Sequence, residues 1–287
     1  MLFKNFYMKK KYYYIFLRFL FFYSPYFLGK YRLLTYLFDF NQQNLKVPDY
    51  SFTVKLDHNK YKGNLNNWID SGIFFLGGWE LGLKNLFFEI IKKNKDLNYY
   101  FDIGANSGTL TVPFMNKNIQ IFSFEPLQYS FNKLKSNVEL NYNGNNNVKL
   151  FKVALGNKKS KSKIYFSNSL GNIGTASVIN NISSQYNSVE KVKMDKLDNI
   201  ISLSKKKILI KIDVEGYEEE VIKGAKNLLS KNDCIIYIET NSDKLINDLK
   251  NKYEILYPNF KTGKKKYRFS LSRKEQDVIL FNKSINI

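Results

Sequence analysis

A carboxylate at the end of an apolar run, a glycine turn straight after it and a second carboxylate closing the next apolar run form a pattern suited to a nucleoside. Tyr100-Phe101-Asp102-Ile103 breaks into Gly104-Ala105-Asn106-Ser107-Gly108, and Ile121-Phe122-Ser123-Phe124 ends on Glu125-Pro126, 23 positions beyond Asp102. Glycine lets a backbone turn sharply and lie close to a ligand, and the first N–H groups of a following helix are free to face it. An acid about 20 residues on accepts hydrogen bonds from ribose hydroxyls. The turn departs from G-x-G-x-x-G, because Asn106 stands where a second glycine would admit a pyrophosphate, and this disfavours NAD. A nucleoside without pyrophosphate, seated by Asp102, Gly104, Asn106, Gly108 and Glu125, points to S-adenosylmethionine.

A second chemistry-bearing group lies downstream, in Ile210-Lys211-Ile212-Asp213 and in the apolar run that ends on Glu239. Strand residues two apart share a face, so Lys211 and Asp213 point the same way, and a lysine inside such a run needs a partner. They read as part of an acceptor pocket or as a structural ion pair. Methyl transfer to a hydroxyl needs a positioned acceptor and a base. The one histidine, His58, sits in Asp57-His58-Asn59, outside these motifs, and reads as a solvated turn. Asp213 or Glu239 is the better base, once partial burial raises its pKa. A metal-free site is the expectation; Asp213, Glu239 and Asn241 are the oxygen set that Mg²⁺ would use instead. Glu218, Glu219 and Glu220 fit the favourable first turn of a helix.

From about Asp70 to Glu239 the chain resembles the FkbM-type family of S-adenosylmethionine-dependent methyltransferases. The residues that carry this are Phe101 to Gly108, Phe124-Glu125-Pro126 with Leu134 and Asn137, Leu197-Asp198, and Ile210-Lys211-Ile212-Asp213-Val214-Glu215-Gly216 continuing to Ala225. Gly78-Trp79-Glu80 looks like the family's lead-in, and Met194-Asp195-Lys196 departs from a more usual threonine-containing run. The resemblance implies a Rossmann-like class I methyltransferase fold and O-methylation of a sugar, glycan, lipid or other small-molecule hydroxyl. It also implies Glu80 as a cofactor-binding residue and Glu215 as an acceptor-binding or cofactor-supporting one.

The elements that must position these groups alternate. Strands are expected near 99–103, 120–124, 148–153, 208–213 and 234–239, with helices near 83–93, 107–115, 127–140, 217–229 and 242–251. Such alternation makes an α/β, mainly parallel, doubly wound sheet whose ligands sit at the carboxyl ends of the strands. Residues 160–195 read as an insert of short β pieces, among them Lys163 to Phe166 and Thr175 to Val178, overhanging the site. Tyr253 to Tyr257 and Asp277 to Phe281 read as a C-terminal antiparallel pair around a basic loop of Lys261, Lys264, Lys265, Lys266 and Arg268. The expected organisation is a basic aromatic extension over 1–44, a cap over 45–98 and the cofactor-binding domain over 99–287.

The formal net charge is +20, and hydrophobic residues make up 44% of the 287. The charge admits an anionic partner; the Asn-rich stretch 141–147 also fits nucleotide bias in a genome. Cys234, the single cysteine, excludes a disulfide within the chain and reads as a small buried hydrophobe. Lys4, Lys9, Lys10 and Lys11 precede an aromatic stretch whose longest uncharged run, Phe19 to Gly29, is too short for the roughly 18–20 residues of a bilayer span. The segment reads as a helix in a membrane interface or one packed on the domain or on a second copy. The expected setting is a reducing cytoplasm, at the inner membrane surface if the helix docks there. Two other readings compete. A nucleic-acid methyltransferase fits the charge but lacks an Asn/Asp-Pro-Pro-aromatic run or a Pro-Cys nucleophile. A non-catalytic scaffold would have lost the Gly104/Gly108 turn or Glu125, and neither is lost.

Overall fold

The computed structural model describes residues 2–24, 29–30, 33–34, 36, 49–142, 147–166, 187–260, 267–270, 276–282 and 285. Helix α1 (Leu2–Tyr23) comes first, then the hairpin β1 (Ser51–Leu56) and β2 (Asn59–Asn64), and helices α2 (Trp68–Leu76) and α3 (Leu81–Lys93). The alternating region follows as β3 (Leu97–Ile103), β4 (Gln120–Phe124), α4 (Gln128–Glu139), β5 (Val148–Phe151), β6 (Ala154–Leu155), β7 (Ser160–Phe166) and β8 (Ser188–Asp195). It continues with α5 (Leu197–Ile200), β9 (Lys207–Ile212), α6 (Glu218–Gly224), α7 (Lys226–Lys231), β10 (Asp233–Glu239), α8 (Asp243–Leu249), β11 (Glu254–Phe260), β12 (Tyr267–Ser270) and β13 (Asp277–Phe281).

The main sheet runs β12-β11-β13-β10-β9-β3-β4-β5, with β10, β9, β3, β4 and β5 mutually parallel. The central strands are apolar on both faces because each face is covered. Phe101, Ile103, Ile208, Ile210 and Ile236 pack on one side, and Tyr100, Leu209, Ile235 and Tyr237 on the other. This is the expected α/β, mainly parallel, doubly wound sheet with an antiparallel edge. β13 lies between β10 and β11, antiparallel to both, and β12 adds a further strand that the sequence did not signal. The basic positions Lys261, Lys264, Lys265 and Lys266 lie outside the described residues.

Two expected helices differ. Residues 107–115 form turns and one short 3-10 segment, Val112–Phe114, rather than an α-helix. Gly108 takes a left-handed φ of 89°, Pro113 has no N–H, and the Thr111 hydroxyl is committed to Asp102. No helix N-terminus therefore opens behind the glycine turn. The run 217–229 is split into α6 and α7 at Ala225, directly after Gly224, where a Cβ would overlap the Gly156 carbonyl oxygen. The insert forms its own small sheet, β6-β8-β7; Thr175 to Val178 lie outside the described residues.

The β1–β2 hairpin and α2 are tied to the glycine turn and α4 through buried polar groups. Asp70, fully buried, accepts from the Tyr61 hydroxyl (2.8 Å), the Asn64 N–H (2.8 Å) and the Lys133 ammonium (2.7 Å). Tyr61 meets the Ser107 hydroxyl at 2.7 Å, and Asn137 joins the Ser107 carbonyl to the Lys62 N–H. Cys234 is fully buried, and burial pushes its thiol up to about 12.

Candidate active site

The tips of β10, β9, β3, β4 and β5 open into a cavity of about 450 Å³, and Glu239, Asp213, Gly104, Glu125 and Val153 follow one another along its floor in strand order. That size falls in the usual range for small-molecule sites. Strand spacing of about 4.8 Å separates the first of these from the last by four steps. One end is therefore acidic; the other is an apolar slot of Phe124, Pro126, Leu127, Ala154, Leu155 and Ile164.

At the β3 turn, Gly104 has φ 79°, and a Cβ there would overlap the Asp213 carbonyl oxygen. The glycine serves a close approach of two strand tips as much as any ligand. Asn106 takes a left-handed φ of 48°, which aims its N–H at Glu125 Oε2, 2.9 Å away; Glu125 Oε1 accepts from the Leu127 N–H, also at 2.9 Å. Each carboxylate oxygen keeps a lone pair, which is what two ribose hydroxyls require. Burial pushes Glu125 up to about 7, against the two N–H bonds and Lys211 that pull it down. Asp102 and Gly108 do not line the cavity. Asp102 is fully buried under the turn, with Oδ2 accepting from Thr111 (2.6 Å) and Oδ1 without a hydrogen-bond partner, 3.8 Å from Lys211 Nζ. Gly108 packs against Leu134.

Lys211 lies nearly buried at the floor, 3.0 Å from Asp213 Oδ2 and donating to the Gly104 carbonyl at 3.0 Å. Burial works against its charge, but Asp213, Asp102 and Glu80 outweigh it and hold the lysine above its ordinary range. It is a fixed cation, unable to accept a proton. Carboxylate oxygens of Glu80, Asp213 and Glu239 all lie within 4.8 Å of one another. Burial, with Asp213, Glu239 and Asp277 adding to it and Lys211 opposing, pushes Glu80 up to about 8. Glu239 rises to about 7 through burial and then Asp213, Asp277 and Glu215, and Glu215 rises to about 7 through burial, Asp213 and Glu218. Like charges this close cannot all ionise together near neutrality. The same trio offers oxygens that a divalent cation could bridge, in competition with the Lys211 ammonium already on Asp213. Asn241 lines an adjoining lobe of about 370 Å³ together with Asp213, Glu215 and Glu239.

Three of the five non-glycine residues with left-handed φ among the described residues, Glu80, Asn106 and Glu215, line the cavity. Such strained positions collect at functional sites. Glu80 begins α3 without capping it. Trp68 and Trp79 form an edge-on pair at the cavity wall, 6.2 Å between ring centres; Trp68 carried no signal in the sequence. His58 is exposed in the β1–β2 turn, away from the cavity. Glu218 bonds the Gly216 N–H at 2.7 Å, while Glu219 and Glu220 pair with Lys223 on their own helix and Glu219 also reaches Lys244 on α8 at 3.4 Å. Asp198 likewise accepts from the Asn227 and Leu228 N–H groups that open α7.

Residues 102–261, more than half of the chain, match the profile of the Methyltransferase FkbM domain. The chain belongs to the FkbM methyltransferase family. The FkbM domain takes its methyl group from S-adenosylmethionine, and the acidic floor, the free lone pairs of Glu125 and the apolar slot fit a cationic nucleoside. Among solved structures, methyltransferase FkbM from Methylobacillus flagellatus KT is similar at 15% identity with a TM-score of 0.45, over 65% of this chain and 44% of that one. The Pyrococcus abyssi tRNA (uracil-54, C5)-methyltransferase, in complex with S-adenosyl-L-homocysteine, is similar at 11% and 0.44, over 80% and 43%. Magnesium protoporphyrin IX methyltransferase from Synechocystis PCC 6803, with bound S-adenosylmethionine, is similar at 10% and 0.41, over 75% and 82%. The chain spans less than half the length of the first two. No curated protein matches the sequence.

Proposed function

We propose that the protein methylates a hydroxyl of an uncharged acceptor of the sugar or glycan class, with Glu239 as the proton acceptor. The observation that supports this is the polar lining of the cavity: the carboxyl groups of Glu80, Asp213, Glu215 and Glu239 surround Lys211, the one cation among the lining residues, and Asp213 already engages it. A phosphate would find no uncommitted cation among these lining residues, which argues against RNA or DNA as acceptor. Neutral hydroxyls can donate to carboxylates, and tryptophan faces such as those of Trp68 and Trp79 suit the apolar side of a sugar ring.

S-Adenosylmethionine, when bound, supplies a methyl group already activated on a sulfonium. Glu125 would hold its ribose hydroxyls, the slot between Phe124 and Leu155 its base, and Glu80 its cationic end. Lys211 fixes the Asp213 carboxylate toward the cavity. Because Asp213 Oδ2 is occupied by the Lys211 ammonium, Glu239, raised to about 7, is the better placed group to take the hydroxyl proton. Incubation with methyl-labelled S-adenosylmethionine and a panel of neutral oligosaccharides, phosphorylated sugars and RNA tests the reading. Label in an alkali-stable ether of a neutral glycan is the expected result; label confined to RNA or to phosphorylated acceptors would overturn it.

A further inference from the structure

We infer that the outward face of α1 docks in the interface of an anionic lipid bilayer. On its inward side α1 buries Tyr14 and Phe21 against α2. On the other side Tyr12, Ile15, Phe16, Phe19, Leu20 and Tyr23 are exposed, Phe16 and Phe19 to 58% and Tyr23 to 71%. The only charge between Tyr12 and Tyr23 is Arg18, and it turns inward, donating to the Phe74 carbonyl and lying 5.0 Å from the Phe22 and Phe74 ring centres. The exposed arc is therefore wholly without charge over three turns. A helix that is apolar all round belongs between two partners, and the protein supplies one of them.

Charge identifies the other. Residues 1–38 contain Lys4, Lys9, Lys10, Lys11, Arg18, Lys30 and Arg32 and no aspartate or glutamate. Such a segment is complementary to acidic headgroups, and its tyrosines and phenylalanines suit the boundary between headgroups and acyl chains. A symmetric dimer through the same face would instead bring two acid-free basic segments together. None of the described helices is long and apolar enough to cross a membrane, so α1 lies along the surface. α1 packs on α2, whose first residue, Trp68, lines the cavity, so docking carries the cavity with it.

Flotation of the full chain with vesicles of phosphatidylcholine, alone or with about a third phosphatidylglycerol, tests the inference. Binding is expected only with the anionic lipid and is expected to weaken about fivefold per lysine in Lys9→Gln, Lys10→Gln and Lys11→Gln variants. Phe16→Glu/Phe19→Glu/Tyr23→Glu changes exposed positions and is expected to reduce binding at least about tenfold with an unchanged melting temperature. Equal flotation with neutral vesicles, or wild-type binding by the triple and lysine variants, would overturn it. So would a wild-type dimer that the triple variant loses while neither protein floats, which would assign the face to a second copy.

Discussion

Lys211 Nζ stands 3.0 Å from Asp213 Oδ2 and 3.0 Å from the Gly104 carbonyl oxygen, so one buried ammonium ties together the tips of β3 and β9. Asp102 lies 3.8 Å away on the same side, which leaves two carboxylates dependent on one cation. The arrangement holds the acidic floor in place before any ligand arrives.

Removing that cation should therefore unfold more than it disables. Lys211→Met is expected to cost about 3–5 kcal/mol, the usual penalty for leaving a buried charge unpaired. The double variant Lys211→Met/Asp213→Asn should recover part of the loss, because it removes one of the stranded charges. Denaturant melts of the parent, Lys211→Met, Asp213→Asn and the double variant measure this; strictly additive losses would show that the two residues do not interact.

Gly104→Ala should be poorly tolerated. Its φ of 79° disfavours any side chain, and the new Cβ would overlap the Asp213 carbonyl oxygen. A loss of roughly 2–4 kcal/mol follows from strain plus displacement of β9. A variant with normal melting temperature would mean that the strand tips separate freely.

Glu125→Gln is expected to weaken S-adenosylmethionine about 10- to 150-fold, the value of a hydrogen bond to a charged group. The amide also confronts the Asn106 or Leu127 N–H with a donor, so a modest fall in melting temperature should accompany it. Calorimetric titration reads the affinity, and NAD should give no heat with either protein. Unchanged affinity in the variant would remove Glu125 from the ribose.

How much of this was legible beforehand depends on the range of the interaction. The parallel strands were legible because β3, β4, β9 and β10 are buried on both faces and read as apolar runs. Glu125 was legible because a βα unit fixes its distance from Asp102. The meeting of Glu80 with Glu239 was not, since it joins positions 159 apart through the start of α3 and a left-handed residue. β8 was obscured because only Val192 and Met194 of its eight residues are buried. The expected helix at 107–115 failed because the turn spends Thr111 on Asp102 and places a proline where a helix needs a donor.

The ligand-free protein should lose stability as pH rises. Glu80, Glu125, Glu215 and Glu239 titrate at about 7 to 8 when folded, above their ordinary 4.5. A folded-state pKa above the unfolded one gives stabilisation that is complete below about 4.5 and disappears as pH climbs through 7 to 8. Melting temperatures at pH 5, 6, 7 and 8 should descend, and Glu80→Gln should flatten the descent. A rising series would mean that these carboxylates are ionised in the fold.

Glu239→Gln is the decisive test of the proposed base. The substitution keeps size and hydrogen-bonding reach and removes proton acceptance, so turnover should fall about 10²- to 10⁴-fold with S-adenosylmethionine affinity retained. In the parent protein turnover should rise with pH through about 7, where Glu239 loses its proton, and then level. In the variant that rise should vanish. Asp213→Asn separates the roles further: as the group Lys211 orients, Asp213 should affect turnover, and because its charge helps to raise Glu239, the rise with pH should persist in the variant but begin at lower pH. If Asp213→Asn abolishes the pH dependence and Glu239→Gln does not, the base is Asp213. If chelator removes activity and Mg²⁺ restores it, the Glu80, Asp213 and Glu239 oxygens act as ligands, and a metal lowers the hydroxyl's pKa in place of a carboxylate base.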